Sequence, residues 1–334
     1  MKKPNLFQFA TKELSQDGFF AWFTSWADVQ NAAINPKLHK AAQDFVRLLL
    51  GKENVIPIKD IKTLRQRDKI DIWVEVNDSH LVIIEDKTHT GAHGKQLANY
   101  KEIAQAFCAK NNRQLVCVYM KTGNESKASL ENVRKNGYDV VDRLALLKLF
   151  EKHPVQNDIY ADFTEYLKSF DDWVNQYRVL PVGKWTGAQW EGFYQWLDEK
   201  INVVGWGYVA NPSGGFFGLW WHWQTWMEKF GAYLQLEDGA LCLKMDTGKE
   251  EYRVVKNAQI AFWDAINKQA KLEGRLEIKR PSRLKIGGSM TCAVIYRKDW
   301  FSADDEVVNV ENVVAKLKDY EQFLERCVKE KTNA

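Results

Sequence analysis

An α/β protein of two domains is what the 334-residue sequence predicts, and three observations carry that reading. Helix and strand signals alternate through the first half, in the order helices, three strands, helix, strand, helices. The composition then shifts near "YRVLPVGKWTG" (177–187), where Pro181 and Gly183 punctuate the chain. Beyond that point lie ten of the fourteen tryptophans, enough to build a second core. The domains are therefore expected at 1–178 and 183–334.

The first helix is "TKELSQDGFFAWFTSWAD" (11–28), aromatic-rich and amphipathic. The second, 36–50, carries Leu38, Ala41, Phe45 and Leu48 on one face. Strands are expected at 54–66, 69–76 and 80–88, with Asn77, Asp78 and Ser79 as turn residues between the last two. Residues 94–110 read as a helix with Leu97, Tyr100, Ile103, Ala104 and Phe107 inward, and "QLVCVYM" (114–120) as a buried strand. Helices follow at 126–136, 143–152 and 157–176. The second half opens on a helix, 187–201, that buries Trp190, Phe193 and Trp196. An aromatic-rich antiparallel sheet follows, interrupted by a helix at 256–272 and closed by "NVENVVAKLKDYEQFLERCV", which makes this half α+β.

Composition narrows the function classes. A net charge of +3 is too small for a purely electrostatic nucleic-acid binder, although a local basic strip would suffice for a nuclease. Five scattered cysteines, Cys108, Cys117, Cys242, Cys292 and Cys327, argue against a disulfide framework and a zinc site. The apolar runs fall short of a membrane span, and polar residues interrupt any signal-peptide core after Met1-Lys2-Lys3, so the expectation is a cytoplasmic protein with no membrane partner. "GAHGKQ" lacks the Ser or Thr and the glycine spacing of a Walker loop, so no nucleotide cofactor is expected.

The chemistry concentrates in "DIWVEVNDSHLVIIEDKTHTG" (71–91). The apolar strand Leu81-Val82-Ile83-Ile84 ends in Glu85, Asp86 and Lys87, ionised groups that are costly there unless paired or bound to a metal. Alternation puts Glu85 and Lys87 on one face and Asp86 on the other. A three-residue hairpin loop would pair Val76 with His80 and Asp71 with Glu85; a four-residue loop would pair Asp71 with Asp86 and disperse the cluster. Two carboxylates so placed suit a magnesium ion, and Lys87 beside them suits the activation of water toward phosphorus.

Asp71, Glu85-x-Lys87 and the Gln96-x-x-x-Tyr100 of "GKQLANY" resemble the PD-(D/E)XK nuclease superfamily. "ATKELSQDGFFAWFTSWAD" and the "KIDIWVEV…IIEDK" pair resemble a bacterial branch linked to phage defence. The resemblance is specific over 5–120 and extends toward 180. It implies a restriction-endonuclease-like αβββαβ core with a mixed central sheet, and a nuclease that hydrolyses DNA with Mg2+, for which Mn2+ substitutes. It implies metal binding by Asp71, Glu85 and the Asp86 backbone carbonyl, with Glu13 completing the set, catalysis by Lys87, and an orienting or DNA-contacting role for Gln96 and Tyr100. One departure is Lys69, where the family often has an arginine before the Ile-Asp pair.

Other readings stay open beside this one. The acids and lysine could form a strand-end salt-bridge ladder, and the fold could be a degenerate nuclease serving as a binding module, or an enzyme acting on RNA. Glu13, Gln16 and Asp17 share a helix face, which an ordinary polar surface also explains. Arg65, Arg67 and Lys69 are candidate phosphate contacts or an ordinary charged edge. Lys279, Arg280, Arg283 and Lys285 read as a solvated loop, and His89 and His93 sit in a glycine-flanked loop with no third ligand. The aromatic stretch Phe216 to Trp226 offers a stacking platform for bases, but packing or a dimer interface explains it more simply. The second domain is expected to serve recognition or assembly, with a second copy of the chain or another protein as the partner.

Overall fold

Hydrophobic alternation and capping residues account for the elements of the first half. In the computed structural model, which describes residues 3–53, 55–92, 94–211, 214–248, 252–282 and 287–329, the chain divides into two units, Met1–Asp172 and Trp173–Ala334. The first unit begins with α1 (Glu13–Ser25), whose Phe19, Phe20 and Phe23 are buried. In α2 (Pro36–Leu50), the Asn35 side chain accepts from the Leu38 N–H, Pro36 starts the first turn, and Gly51 at φ +77° ends the helix.

Five strands make one sheet in sequence order: β1 (Ile61–Arg67), β2 (Ile70–Val76), β3 (His80–Lys87), β4 (Gln114–Lys121) and β5 (Asp139–Asp142). The first three run antiparallel, and β3, β4 and β5 are mutually parallel, so the sheet is mixed. The parallel connections run through α3 (Gln96–Asn111) and α4 (Lys127–Lys135), and α5 (Arg143–Lys152) and α6 (Asp158–Asn175) follow. On one sheet face Ile72, Val74, Val82 and Ile84 pack with Phe20, Phe23 and Phe45; on the other, Trp73, Leu81 and Ile83 pack with Leu97, Ala104 and Tyr138.

The register decides the site. Val76 pairs with His80 across the three-residue loop 77–79, where Asn77 takes φ +49°, and Ile72 pairs with Ile84. Extending that ladder brings Asp71 opposite Glu85.

Several boundaries differ from the expectation. The strand expected over 54–66 begins only at Ile61, because Asn77 Oδ1 accepts the N–H groups of Lys59 (3.0 Å) and Asp60 (3.1 Å) and holds that segment outside the ladder. Ile103, expected inward, is 40 % exposed, and Cys108 fills the α3 face instead. The edge strand β5 has no counterpart among the expected elements.

The second unit contains α7 (Gly187–Leu197), β6 (Val203–Val209), β7 (Phe216–Trp226), β8 (Phe230–Glu237), β9 (Ala240–Asp246), α8 (Tyr252–Glu273), β10 (Ser289–Ile295), α9 (Arg297–Trp300) and α10 (Val310–Lys329). Its sheet is antiparallel throughout, in the order β10-β9-β8-β7-β6. Thr186 and Gln189 form a capping box that starts α7, and Trp190, Phe193 and Trp196 are buried as expected. Leu219, Trp221 and Trp226 enter the core, whereas Trp223, displaced by a bulge between Trp221 and Gln224, lies stacked on Tyr233 at 4.1 Å. All five cysteines are buried thiols. No described helix is long and apolar enough to cross a membrane.

Candidate active site

Asp71 stands at the start of β2 and Glu85 and Lys87 at the end of β3, on the sheet face that α3 covers. Lys87 Nζ lies 2.5 Å from Glu85 Oε1 and 3.8 Å from Asp71 Oδ2. From the first turn of α3, Gln96 Nε2 donates to Glu85 Oε1 (2.8 Å) and to the Tyr100 hydroxyl (3.2 Å). Glu85 is almost wholly buried, and its second oxygen, Oε2, has no hydrogen-bond partner among the described residues.

The electrostatics follow from this crowding. Burial, and then the Asp71 charge, push the Glu85 carboxyl up to about 7, with Lys87 pulling the other way. Burial alone would lower the Lys87 ammonium, but Glu85 and then Asp71 outweigh it and hold the group above its usual range. Asp71 also lies within hydrogen-bonding reach of the Glu85 carboxyl, so a proton or a cation between the two acids would relieve their repulsion.

Asp86 points to the opposite face, as alternation required. Its Oδ1 accepts from Gln16 Nε2 (2.7 Å), and a side-chain hydrogen bond joins it to Asp17. Both acids are buried, and each has one oxygen, Asp17 Oδ1 and Asp86 Oδ2, without another partner among the described residues. A proton held between the two carboxyls would satisfy both oxygens. Burial, then the Asp17 charge, hold Asp86 well above the carboxylate range; burial, then Asp71, raise Asp17 to about 6. The Asp86 backbone N–H donates to Asp71 Oδ2 (3.0 Å), which ties the two faces together.

Glu13, at the head of α1, accepts from the Thr88 N–H (2.9 Å) and the Thr90 hydroxyl (3.3 Å), just past the end of β3. Its charge also helps to hold the Lys87 ammonium up. Among the described residues, no three His, Cys, Asp or Glu side chains form a group that could hold a metal ion. Asp71 and Glu85, the latter with Oε2 unsatisfied, are the two carboxylates here that could offer oxygen donors to a hard cation.

The basic strip on β1 is divided. Arg65 is exposed and donates to the Leu14 carbonyl (2.6 Å), and Lys69 is exposed in the β1–β2 turn. Arg67 lies over the rings of Trp73 (4.2 Å) and Phe107 (4.8 Å) and 3.5 Å from Glu75, so its guanidinium already serves packing. Arg280 lies against Trp263, and His89 against Phe170; His93, Arg283 and Lys285 fall outside the described residues. The sequence does not single out Asp17 within its helix face and offers no sign of Gln66, whose amide reaches Asp71 Oδ1 at 3.2 Å and Asp17 Oδ2 at 3.4 Å. The i, i+4 relation of Asp17 to Glu13 was the one available signal for the former.

Comparison with known families gives one finding: the model of the PD-(D/E)XK nuclease superfamily matches residues 7–211. The match covers more than half of the chain and runs past the first unit through α7 and β6. No curated protein and no solved structure matches the chain.

Proposed function

The chain belongs to the PD-(D/E)XK nuclease superfamily, and on that footing we propose that it is a metal-dependent nuclease hydrolysing DNA phosphodiester bonds at Asp71, Glu85 and Lys87. The observation that carries this reading is the convergence of those three groups at the ends of two buried strands, with Glu85 Oε2 left unsatisfied. A rigid sheet is the kind of mount that keeps such groups in productive geometry.

Asp71, Glu85 and the Asp86 carbonyl would hold Mg2+, or Mn2+ in its place; the bound ion would offset charge on the phosphate and the leaving oxygen. Lys87 orients the attacking water and stabilises charge developing on oxygen as the new bond to phosphorus forms. Gln96, backed by Tyr100, fixes the Glu85 carboxylate in rotation. Lys69, exposed in the turn just before Asp71, is suited to a flanking phosphate, whereas Arg65, paired with Ile72 and bonded to the Leu14 carbonyl of α1, lies on the other sheet face and would reach only phosphates that pass there. Glu13 shapes the loop after β3 through Thr88 and Thr90. Recognition of the substrate, or assembly, falls to residues 183–334, and a role in phage defence accords with the sequence resemblance.

Incubating the full-length protein with linear, circular and single-stranded DNA and with RNA, in Mg2+, Mn2+ or EDTA, tests the proposal. DNA cleavage with either metal and none in EDTA is expected. Cleavage confined to RNA would correct the substrate, and DNA binding without cleavage would support a binding module.

A further inference from the structure

Gln66 lies inside β1 with a left-handed backbone, φ +53°. The neighbouring two-residue turn requires positive φ at both its central residues, and Asp68 (+53°) and Lys69 (+68°) supply them. Gln66 precedes that turn and is not required by it. The ladder keeps one register on either side, Arg65 with Ile72 and Arg67 with Ile70, and interrupts its pairing at Gln66 and Asp71. Left-handed backbone is uncommon for glutamine and unfavourable within a strand. The side chain is exposed, so no demand of core packing explains the distortion.

What the distortion delivers is the amide. Its Nε2 meets Asp71 Oδ1 at 3.2 Å, while the Asp86 N–H meets Asp71 Oδ2 at 3.0 Å, so the carboxylate is gripped on both oxygens. The terminal torsion of an aspartate is soft, and one hydrogen bond leaves it free to turn. The same amide lies 3.4 Å from Asp17 Oδ2 and so links Asp71 to the acid pair on the opposite face. Backbone strain of this kind persists where surrounding structure holds it, and it gathers at functional sites.

We propose that Gln66 is a positioning residue of the nuclease site: its left-handed backbone carries the amide to Asp71 and fixes the carboxylate facing Glu85 and Lys87. The inference rests on the nuclease reading of that site.

Gln66→Gly separates strain from function, because glycine adopts positive φ freely but brings no amide. We expect this variant to melt no lower than wild type. It should turn over about ten- to a hundredfold more slowly with KM little changed, and bind Mn2+ more weakly in a substrate-free calorimetric titration. Gln66→Asn, which tolerates the backbone and keeps a shorter amide, should fall between the two. Wild-type turnover and Mn2+ affinity in Gln66→Gly would overturn the inference, as would losses that only follow reduced thermal stability. Asp71→Ala is the control: if it and wild type are equally inactive, the nuclease reading fails. The Mn2+ titration of Gln66→Gly then decides the positioning claim alone, unchanged affinity overturning it and weakened affinity supporting it.

Discussion

Replacing Asp17 by asparagine should stabilise the protein at neutral pH. Asp17 is buried against Asp86 and raised from 3.8 to about 6, chiefly by burial and then by Asp71. A carboxyl raised on folding is held protonated more tightly by the native state than by the unfolded chain. Its contribution therefore declines as pH climbs from 3.8 through about 6, and stays at its lower level above that. A shift of that size corresponds to ~3 kcal/mol, at ~1.36 kcal/mol per unit, and this is the ceiling of the gain. The asparagine removes the titration and still offers a carbonyl oxygen to the Asp86 proton. Thermal unfolding of both proteins in EDTA between pH 4 and 8 measures the difference. The curves should coincide near pH 4 and diverge to a Tm advantage on the order of 5–10 °C for the variant at pH 7.5. A lower Tm for Asp17→Asn at pH 7.5, or a difference independent of pH, would refute the reasoning.

Three further outcomes are expected. Gln96→Ala, which removes the 2.8 Å donor to Glu85, should slow cleavage by about ten- to a hundredfold while thermal unfolding changes little; an unaltered rate would remove Gln96 from the site. Gly123→Ala should cost about 1–3 kcal/mol in urea unfolding, because a Cβ there would collide with the Thr88 carbonyl oxygen; unchanged stability would refute that steric account. A chain ending at residue 178 should keep the acids and Lys87 but lose selectivity or affinity for labelled DNA, and unchanged affinity, selectivity and oligomeric state would leave the second unit without its proposed role.

The sequence made the register of Asp71 and Glu85 legible to within one choice of loop length. A buried strand tolerates no one-residue slip, and Asn77-Asp78-Ser79 is a natural three-residue turn. Strand β5 escaped because four residues, Asp139–Asp142, bounded by acids carry no periodicity; only parallel pairing with β4 makes them a strand. Arg67 looked like a phosphate contact because its partners come from other elements, Trp73 across the hairpin and Phe107 on α3. Asp17 and Gln66 were obscured for a related reason. Nothing local says that a helix carboxyl will be buried against Asp86, and glutamine has no signature for left-handed backbone. The aromatic stretch of β7 reads as packing, and burial bears that out for Trp221 and Trp226, which share a face only because the bulge between them shifts the alternation and leaves Trp223 41 % exposed.

The central claim is that Asp71, Glu85 and Lys87 form a single hydrolytic site. Its most direct test is single-turnover cleavage of one labelled duplex by wild type, Lys87→Ala and Glu85→Ala in Mg2+, with affinity for the same duplex measured in EDTA. Groups that act on transition-state charge lower turnover more than binding. Closely similar affinities are expected, with a loss of cleavage of about a hundredfold or more in both variants. Equal cleavage rates in wild type and both variants would contradict the claim.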